Sequence, residues 1–234
     1  MSANKLLNRI VTPESVNYDE DHAAVAEQLF DYTYGITSDP LTQFAVVFSA
    51  LVHDVDHTGV SNPQLAKENP DLATLYRNKS IAEQNSVDLA WDLFLDPRYK
   101  DLQDCISSDP TEQKRFRQLV INSVMATDIF DPDMKKLRNT RWDKAFHSDA
   151  VAEEERKLLS LDADKGRNIK ATIVIEHIIQ ASDVAHSMQH WHIYTKWNER
   201  LFEEMMSAYE CGRSEKSPAD GWYKGELWYV AFQR

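Results

Sequence analysis

The chain has 234 residues, 42% of them hydrophobic and 27% charged, and a formal net charge of −12. That length holds one large domain or two small ones. The negative balance weighs against nucleic acid as a partner, because phosphate backbones require basic patches, but not against a small anion, since bound metal ions reverse the local field. The two cysteines, Cys105 and Cys211, lie far apart and outside any CxxC spacing, which points to a reduced intracellular setting without a disulfide framework. No apolar run approaches the roughly 20 residues that span a bilayer. Met1 to Ile10 lacks the apolar core of a signal peptide. The expectation is a cytoplasmic chain, or the cytosolic part of a membrane-anchored parent.

Gly and Pro are few, and no stretch alternates with the period of two that marks strands, so residues 1–234 read as one all-α domain. Lys5 to Val11 looks like the tail of a helix already under way. Thr12 to Asp21 is polar and reads as a loop, and Ala23 to Tyr32 as a short helix. Gly35 to Pro40 is a turn before a helix that opens at Leu41 and carries an apolar, buried run from Phe44 to Val52. Asn62-Pro63 and Pro70-Asp71 restart the chain, with Pro at the first helical position. Ser80-Ile81-Ala82-Glu83 fits a capping box, in which the Ser hydroxyl and Glu carboxylate satisfy backbone donors reciprocally. Asp109-Pro110-Thr111-Glu112 is a second start signal. Behind it Phe116, Leu119, Val120, Ser123, Val124 and Thr127 trace one face. Asp131 to Asn168 reads as a charged surface excursion in which only Val151 to Leu161 is amphipathic. Ile169 to Ala185 has the composition of a buried helix. The last helix runs roughly from Trp191 to Tyr209, with Trp191, Tyr194, Asn198, Leu201 and Met205 on one face and Gly212 as its stop.

The chemistry concentrates at His53-Asp54-Val55-Asp56-His57. Four groups able to ligate a metal fall within five residues, directly after the apolar run. On a helix i and i+4 share a face, so His53 and His57 are expected to point the same way, with Asp54 near the helix end. An imidazole beside a carboxylate suits a divalent metal; the plainer alternative is a solvated helix end. One metal needs more than this pair. Asp183 is the best further candidate, because it sits in an otherwise apolar helix, where a carboxylate is costly unless paired or metal-bound. The alternative there is a core Asp paired with an Arg or Lys. A His/Asp cage with open positions suits hydrolysis: one ion lowers the pKa of water, and a second, about 3.5–4 Å away, clamps a phosphate oxygen. Asp54 is the natural bridge, and His57 then supports a ligand or a metal-bound water.

Residues 53 to 62, His-Asp-Val-Asp-His-Thr-Gly-Val-Ser-Asn, resemble the HDxxHxGxxN signature of the class I cyclic nucleotide phosphodiesterase catalytic domain, a helical fold within the HD superfamily. The likeness continues through Leu72 to Tyr76, Ser80 to Glu83, Val124 to Asp128, Ala181-Ser182-Asp183 and Trp197 to Arg200. Thr33 to Phe44 looks like forms from microbial eukaryotes such as algae. The resemblance implies hydrolysis of cAMP or cGMP to the 5′-monophosphate by a metal-bridging hydroxide, in cyclic-nucleotide signalling. It implies two cofactors: a zinc-like ion held by His53, Asp54 and Asp183, and a magnesium- or manganese-like ion that Asp54 bridges to. His57 and Glu83 match the family's catalytic residues around the metal waters, although the capping box accounts for Glu83 without a metal. Thr127 and Asp128 match a motif lining the substrate site, and the buried face of a helix equally accounts for Thr127. Glu226 falls where many members place a base-binding Gln, and Tyr229 where a Phe stacks on the purine.

Three departures qualify the likeness. The family's upstream HNxxHA-like motif, which carries the general acid and a metal ligand, is expected to lie before Met1, because Lys5 to Val11 resembles the helix that follows it. The only substitute is His22, which reads better as a loop His. Glu83-Gln84-Asn85-Ser86 stands where further His residues are usual, and the likeness fades after Tyr229. The expectation is a domain incomplete at both ends, with base preference open and room for a dimer or for fusion to regulatory or cyclase domains. Two other readings compete: an impaired, truncated module that binds nucleotide without turnover, and a different HD-type phosphohydrolase.

Overall fold

A computed structural model describes residues 2–19, 21–107, 109–146 and 163–219. Among them are eleven α-helices and no strand. In chain order these are α1 (Ser2–Val11), α2 (His22–Tyr32), α3 (Pro40–Val52), α4 (Asn62–Glu68), α5 (Pro70–Leu75), α6 (Ile81–Phe94), α7 (Lys100–Ile106), α8 (Pro110–Met125), α9 (Pro132–Phe146), α10 (Ala163–Asp183) and α11 (Trp191–Glu210). None is long and apolar enough to cross a membrane. The chain divides into two compact units, Met1–Val55 with Ser86–Asp183, and Asp56–Asn85 with Val184–Arg234.

The first unit is built around α3. Asp39 caps its start by accepting the Thr42 N–H at 3.1 Å and the Thr42 hydroxyl at 2.6 Å, and Arg115 of α8 clasps the same carboxylate. Burial opposes ionisation of Asp39, but Arg115 and Thr42 outweigh it and hold the carboxyl below its ordinary range. The run that follows is apolar on more than one side, so α3 serves two cores. Ala45 and Val52 pack with Val87, Ala90, Trp91 and Phe94 of α6 and with Phe116, Val120 and Val124 of α8. Val46 packs with Leu7 and Val11 of α1 and with Ile175, Ile178 and Ile179 of α10. Phe116 is fully buried, its ring 5.5–5.8 Å from those of Phe44, Phe48 and Phe94. A fully buried Phe contributes about 1.5–3 kcal/mol of transfer free energy.

The α8 face expected from the sequence is the buried one at Phe116, Val120, Ser123 and Val124, and Asp109 caps it through the Thr111 and Glu112 amides. Thr127, however, lies beyond the helix, which ends at Met125. α3 is also less enclosed than its apolar run suggests, with Leu51 78% exposed. Residues 132–146 form a helix that the sequence did not announce, and none of its residues is buried, so the expected surface position holds. The apolar period is too sparse in α9 to announce it; α9 is secured instead by an ion pair from Arg141 to the buried Glu176 of α10 and by Trp142 against His177. The amphipathic stretch from Val151 to Leu161 lies outside the described residues. α7, which no pattern marked, is held by Gln103, whose buried amide donates to the carbonyls of Phe94 and Asp96.

In the second unit, Val60, Leu65, Ala73, Ile81, Ala82 and Ala208 form the core. α11 stops as expected: Gly212 takes φ +72, and the amides of Gly212 and Arg213 return to the carbonyls of Tyr209 and Ala208 at 2.9 and 2.8 Å, the Schellman arrangement. The Arg213 guanidinium then grips Glu68 with two bonds of 2.7 and 2.8 Å. The capping box at Ser80 does not form. Ser80 sits at φ +38 with its buried hydroxyl unpartnered among the described residues, and the α6 cap comes from Asn62.

Candidate metal centre

α3 and α10 each deliver one side chain at their last turn. His53 is the C-cap of α3, its N–H bonded to the Ser49 carbonyl, and Asp54 follows it. Asp183 is the final residue of α10. The packing of Val46 against Ile175, Ile178 and Ile179 sets these two helices together. As a result His53 Nε2 lies 3.2 Å from Asp183 Oδ1 and 3.2 Å from Asp54 Oδ2. The three ligand atoms are all within 4.8 Å of one another.

The other ring nitrogen of His53 is committed. Nδ1 meets the Ala50 carbonyl at 3.2 Å, one of the orphan acceptors that a helix leaves in its last turn. A proton fixed on Nδ1 turns Nε2 toward the carboxylates, the orientation in which histidines ligate metals. Hydrogen bonding to Asp183, then to Asp54, pushes the His53 pKa up to about 10, although burial works against the charge. The centre therefore favours positive charge at Nε2. The donor set also fits a metal. Donors bound tetrahedrally at about 2.0–2.1 Å lie roughly 3.3–3.4 Å apart, close to the two 3.2 Å separations found here. One imidazole and two carboxylates suit zinc, manganese or a similar ion.

Two expectations about these residues need correction. Asp183 is not buried: its side chain is 40% exposed, because α10 ends on it. The helix terminus places a carboxylate at the negative end of the dipole, an unfavourable position that a cation offsets. His57 is not on the helix of His53, since α3 ends at Val52 and Asp56 adopts φ +63. The i, i+4 argument therefore fails. His57 lies in a loop, where its Nδ1 accepts the Gly59 N–H at 3.2 Å.

Thr127 and Asp128 occupy the turn between α8 and α9. The Thr127 hydroxyl donates to the Val124 carbonyl, and the buried Asp128 carboxylate accepts the amides of Phe130 and Asp131. Gln180 of α10, one turn before Asp183, donates to the Ala126 carbonyl at 2.8 Å and ties this turn to α10. In the second unit Glu83 is half-buried in the first turn of α6 and accepts a bond from Asn62. His22 is the exposed first residue of α2 rather than a loop residue. Glu226 and Tyr229 lie outside the described residues. The role of Asn62 escaped the sequence reading. Its only signal was its place as the last residue of the HDxxHxGxxN run.

A family model described as 3′5′-cyclic nucleotide phosphodiesterase matches residues 22–222. A probable 3′,5′-cyclic-AMP phosphodiesterase, pde-4 of Caenorhabditis elegans, is 28% identical over 165 residues, which are 70% of this chain and 23% of that protein. The dual specificity calcium/calmodulin-dependent 3′,5′-cyclic nucleotide phosphodiesterase 1C of Homo sapiens is 29% identical over 161 residues, 69% of this chain and 20% of that protein. This chain thus spans 20–23% of the length of these relatives. Among solved structures, the phosphodiesterase domain of the Salpingoeca rosetta rhodopsin phosphodiesterase superposes with a TM-score of 0.56 at 19% identity, covering 88% of this chain and 60% of that one. At that identity the likeness is one of fold.

Proposed function

The chain belongs to the 3′,5′-cyclic nucleotide phosphodiesterase family, and on that footing we propose that it hydrolyses a 3′,5′-cyclic nucleotide to the 5′-monophosphate at a centre made by His53, Asp54 and Asp183. The observation that carries this reading is the convergence of their ligand atoms within 4.8 Å. Divalent ions are the family's general cofactors; zinc paired with magnesium or manganese is the finer assignment proposed here. Bound there, such ions supply the Lewis acidity that polarises a phosphoryl oxygen and lowers the pKa of water toward neutrality. The family match runs through both units, which supports reading the chain as part of one catalytic domain.

In this reading each side chain has a task. Ala50 holds the proton on His53 Nδ1, so that Nε2 faces the cation. Asp54 and Asp183 supply the negative charge that draws the cation in. Thr127 and Asp128 line the substrate, and Glu226 and Tyr229 meet the base. His57, whose Nδ1 accepts the Gly59 N–H, carries its proton in the neutral form on Nε2 and presents a donor to water or phosphate. Glu83 orients water through its carboxylate.

The test is hydrolysis of cAMP and cGMP by this chain with Zn²⁺ and Mg²⁺ or Mn²⁺, against a His53→Ala/Asp54→Ala variant. Turnover that disappears in the variant is the expected result. Nucleotide binding without turnover at saturating Mn²⁺ would replace this reading with that of a binding module. Cleavage of nucleoside triphosphates in preference to cyclic nucleotides would replace it with another phosphohydrolase.

A further inference from the structure

Asn62 makes two bonds with the start of α6, and they do different things. Its Oδ1 accepts the Ala82 N–H at 2.9 Å. This is the capping bond that Ser80, turned away at φ +38 with its hydroxyl unpartnered among the described residues, does not make. Its Nδ2 donates to Glu83 Oε2, also at 2.9 Å. One amide therefore fixes both the backbone and the carboxylate of the first turn of α6. A third bond, from Asn85 Nδ2 to Asp56 Oδ2 at 3.2 Å, joins α6 just past its first turn to the loop that precedes α4.

A helix cap needs only an acceptor, and Asn and Asp serve about equally well. The donor half of the Asn62 amide is surplus to that need and is directed at one carboxylate oxygen. An amide N–H on a carboxylate is a charge-assisted bond with a defined direction, and it narrows the choice at χ3, a broad torsion in glutamate. We propose that Asn62 is a positioning residue for Glu83: it aims the Glu83 carboxylate as well as capping the helix that carries it. This rests on the functional reading above, in which Glu83 orients water.

Asn62→Asp separates the two tasks. It keeps the capping acceptor and puts a carboxylate oxygen where the donor stood, facing Glu83. Capping alone predicts unchanged turnover, since Asp is favoured at helix starts. Positioning predicts a fall in kcat of about 10–100-fold, the usual consequence of losing an orienting partner, with KM close to wild type and Tm lowered only modestly by the new carboxylate facing Glu83. In a Glu83→Gln background Asn62→Asp should cause no further fall in kcat. That double variant lets the Gln amide donate to the new carboxylate, so its Tm should match wild type while kcat stays low. Asn62→Asp with wild-type kcat overturns the inference alone, as does a kcat loss that tracks a collapse in Tm or that recurs in full in the Glu83→Gln background. A wild-type chain without turnover overturns the functional reading and takes this inference with it.

Discussion

His53 Nε2 and Asp183 Oδ1 meet at 3.2 Å across 130 residues of sequence. The contact gathers opposite charges at the ends of two helices, so a proton and a metal ion compete for one nitrogen. A metal must displace a proton held with a pKa of about 10. Metal binding near neutral pH should therefore release a proton, and apparent affinity should rise by about tenfold per pH unit below 10. Calorimetry with Zn²⁺ in two buffers of different ionisation enthalpy, between pH 6 and 8, counts that proton. His53→Ala and Asp183→Asn should each weaken binding by more than the about 10–100-fold typical of losing an outer partner. Affinity independent of both pH and these residues would mean that the ion binds elsewhere.

The same pair governs the metal-free chain, with a definite sign. The folded pKa of His53 is raised from 6.5 to about 10, so the folded state binds the proton more tightly than the unfolded one. The stabilisation is complete below pH 6.5 and is lost as pH rises toward 10. Urea midpoints of the chelator-treated chain should fall across that window. The His53→Gln chain should show a flatter profile, and parallel profiles would contradict the assignment.

Gly59 and Gly212 both adopt positive φ, +74 and +72, but a Cβ at Gly59 would run into Glu204 Oε1 while one at Gly212 meets nothing within 4 Å. The left-handed backbone costs an L residue about 1–2 kcal/mol, and both Ala variants should lose that much. The Glu204 carboxylate is the end of a flexible chain and can swing away, so Gly59→Ala should exceed Gly212→Ala only slightly. Glu204→Ala should remove the excess. A Gly59→Ala loss several times larger would show that Glu204 cannot move.

Phe116 is 0% exposed, and Leu51 on the neighbouring α3 is 78% exposed. Phe116→Ala should cost about 3–5 kcal/mol by denaturant unfolding. Leu51→Ala should stay within about 0.5 kcal/mol. A large loss from Leu51→Ala would mean that this face is covered in solution.

Much of the helical inventory was legible because it depends on neighbours in sequence. Asp39, Asp109 and Gly212 mark helix ends by local hydrogen bonding, and the buried side of α8 follows from the spacing of Phe116, Val120 and Val124. The ligand types were legible too, since His53 and Asp54 are adjacent and Asp183 interrupts an apolar run. Local rules failed where a distant group supplied the partner. α9 carries too few apolar residues to show a period, and Arg141 holds it through Glu176, 35 residues away. The Ser80 box gave way to Asn62, 20 residues upstream of Ala82, because the chain enters α6 with positive φ at Arg77, Asn78 and Ser80, and this turns the Ser hydroxyl from the helix start.

By itself, then, the sequence determined an all-α chain, most of its helix boundaries and the kinds of side chain able to hold a cation. Tertiary structure alone decided that α3 stops one residue before His53, that Asp183 emerges exposed at the end of α10, and that the two meet. The physical reason is range. Capping and periodicity act within a few residues, whereas the closure of His53 on Asp183 depends on Val46 packing with Ile175, Ile178 and Ile179, a non-directional burial that no spacing along the chain encodes.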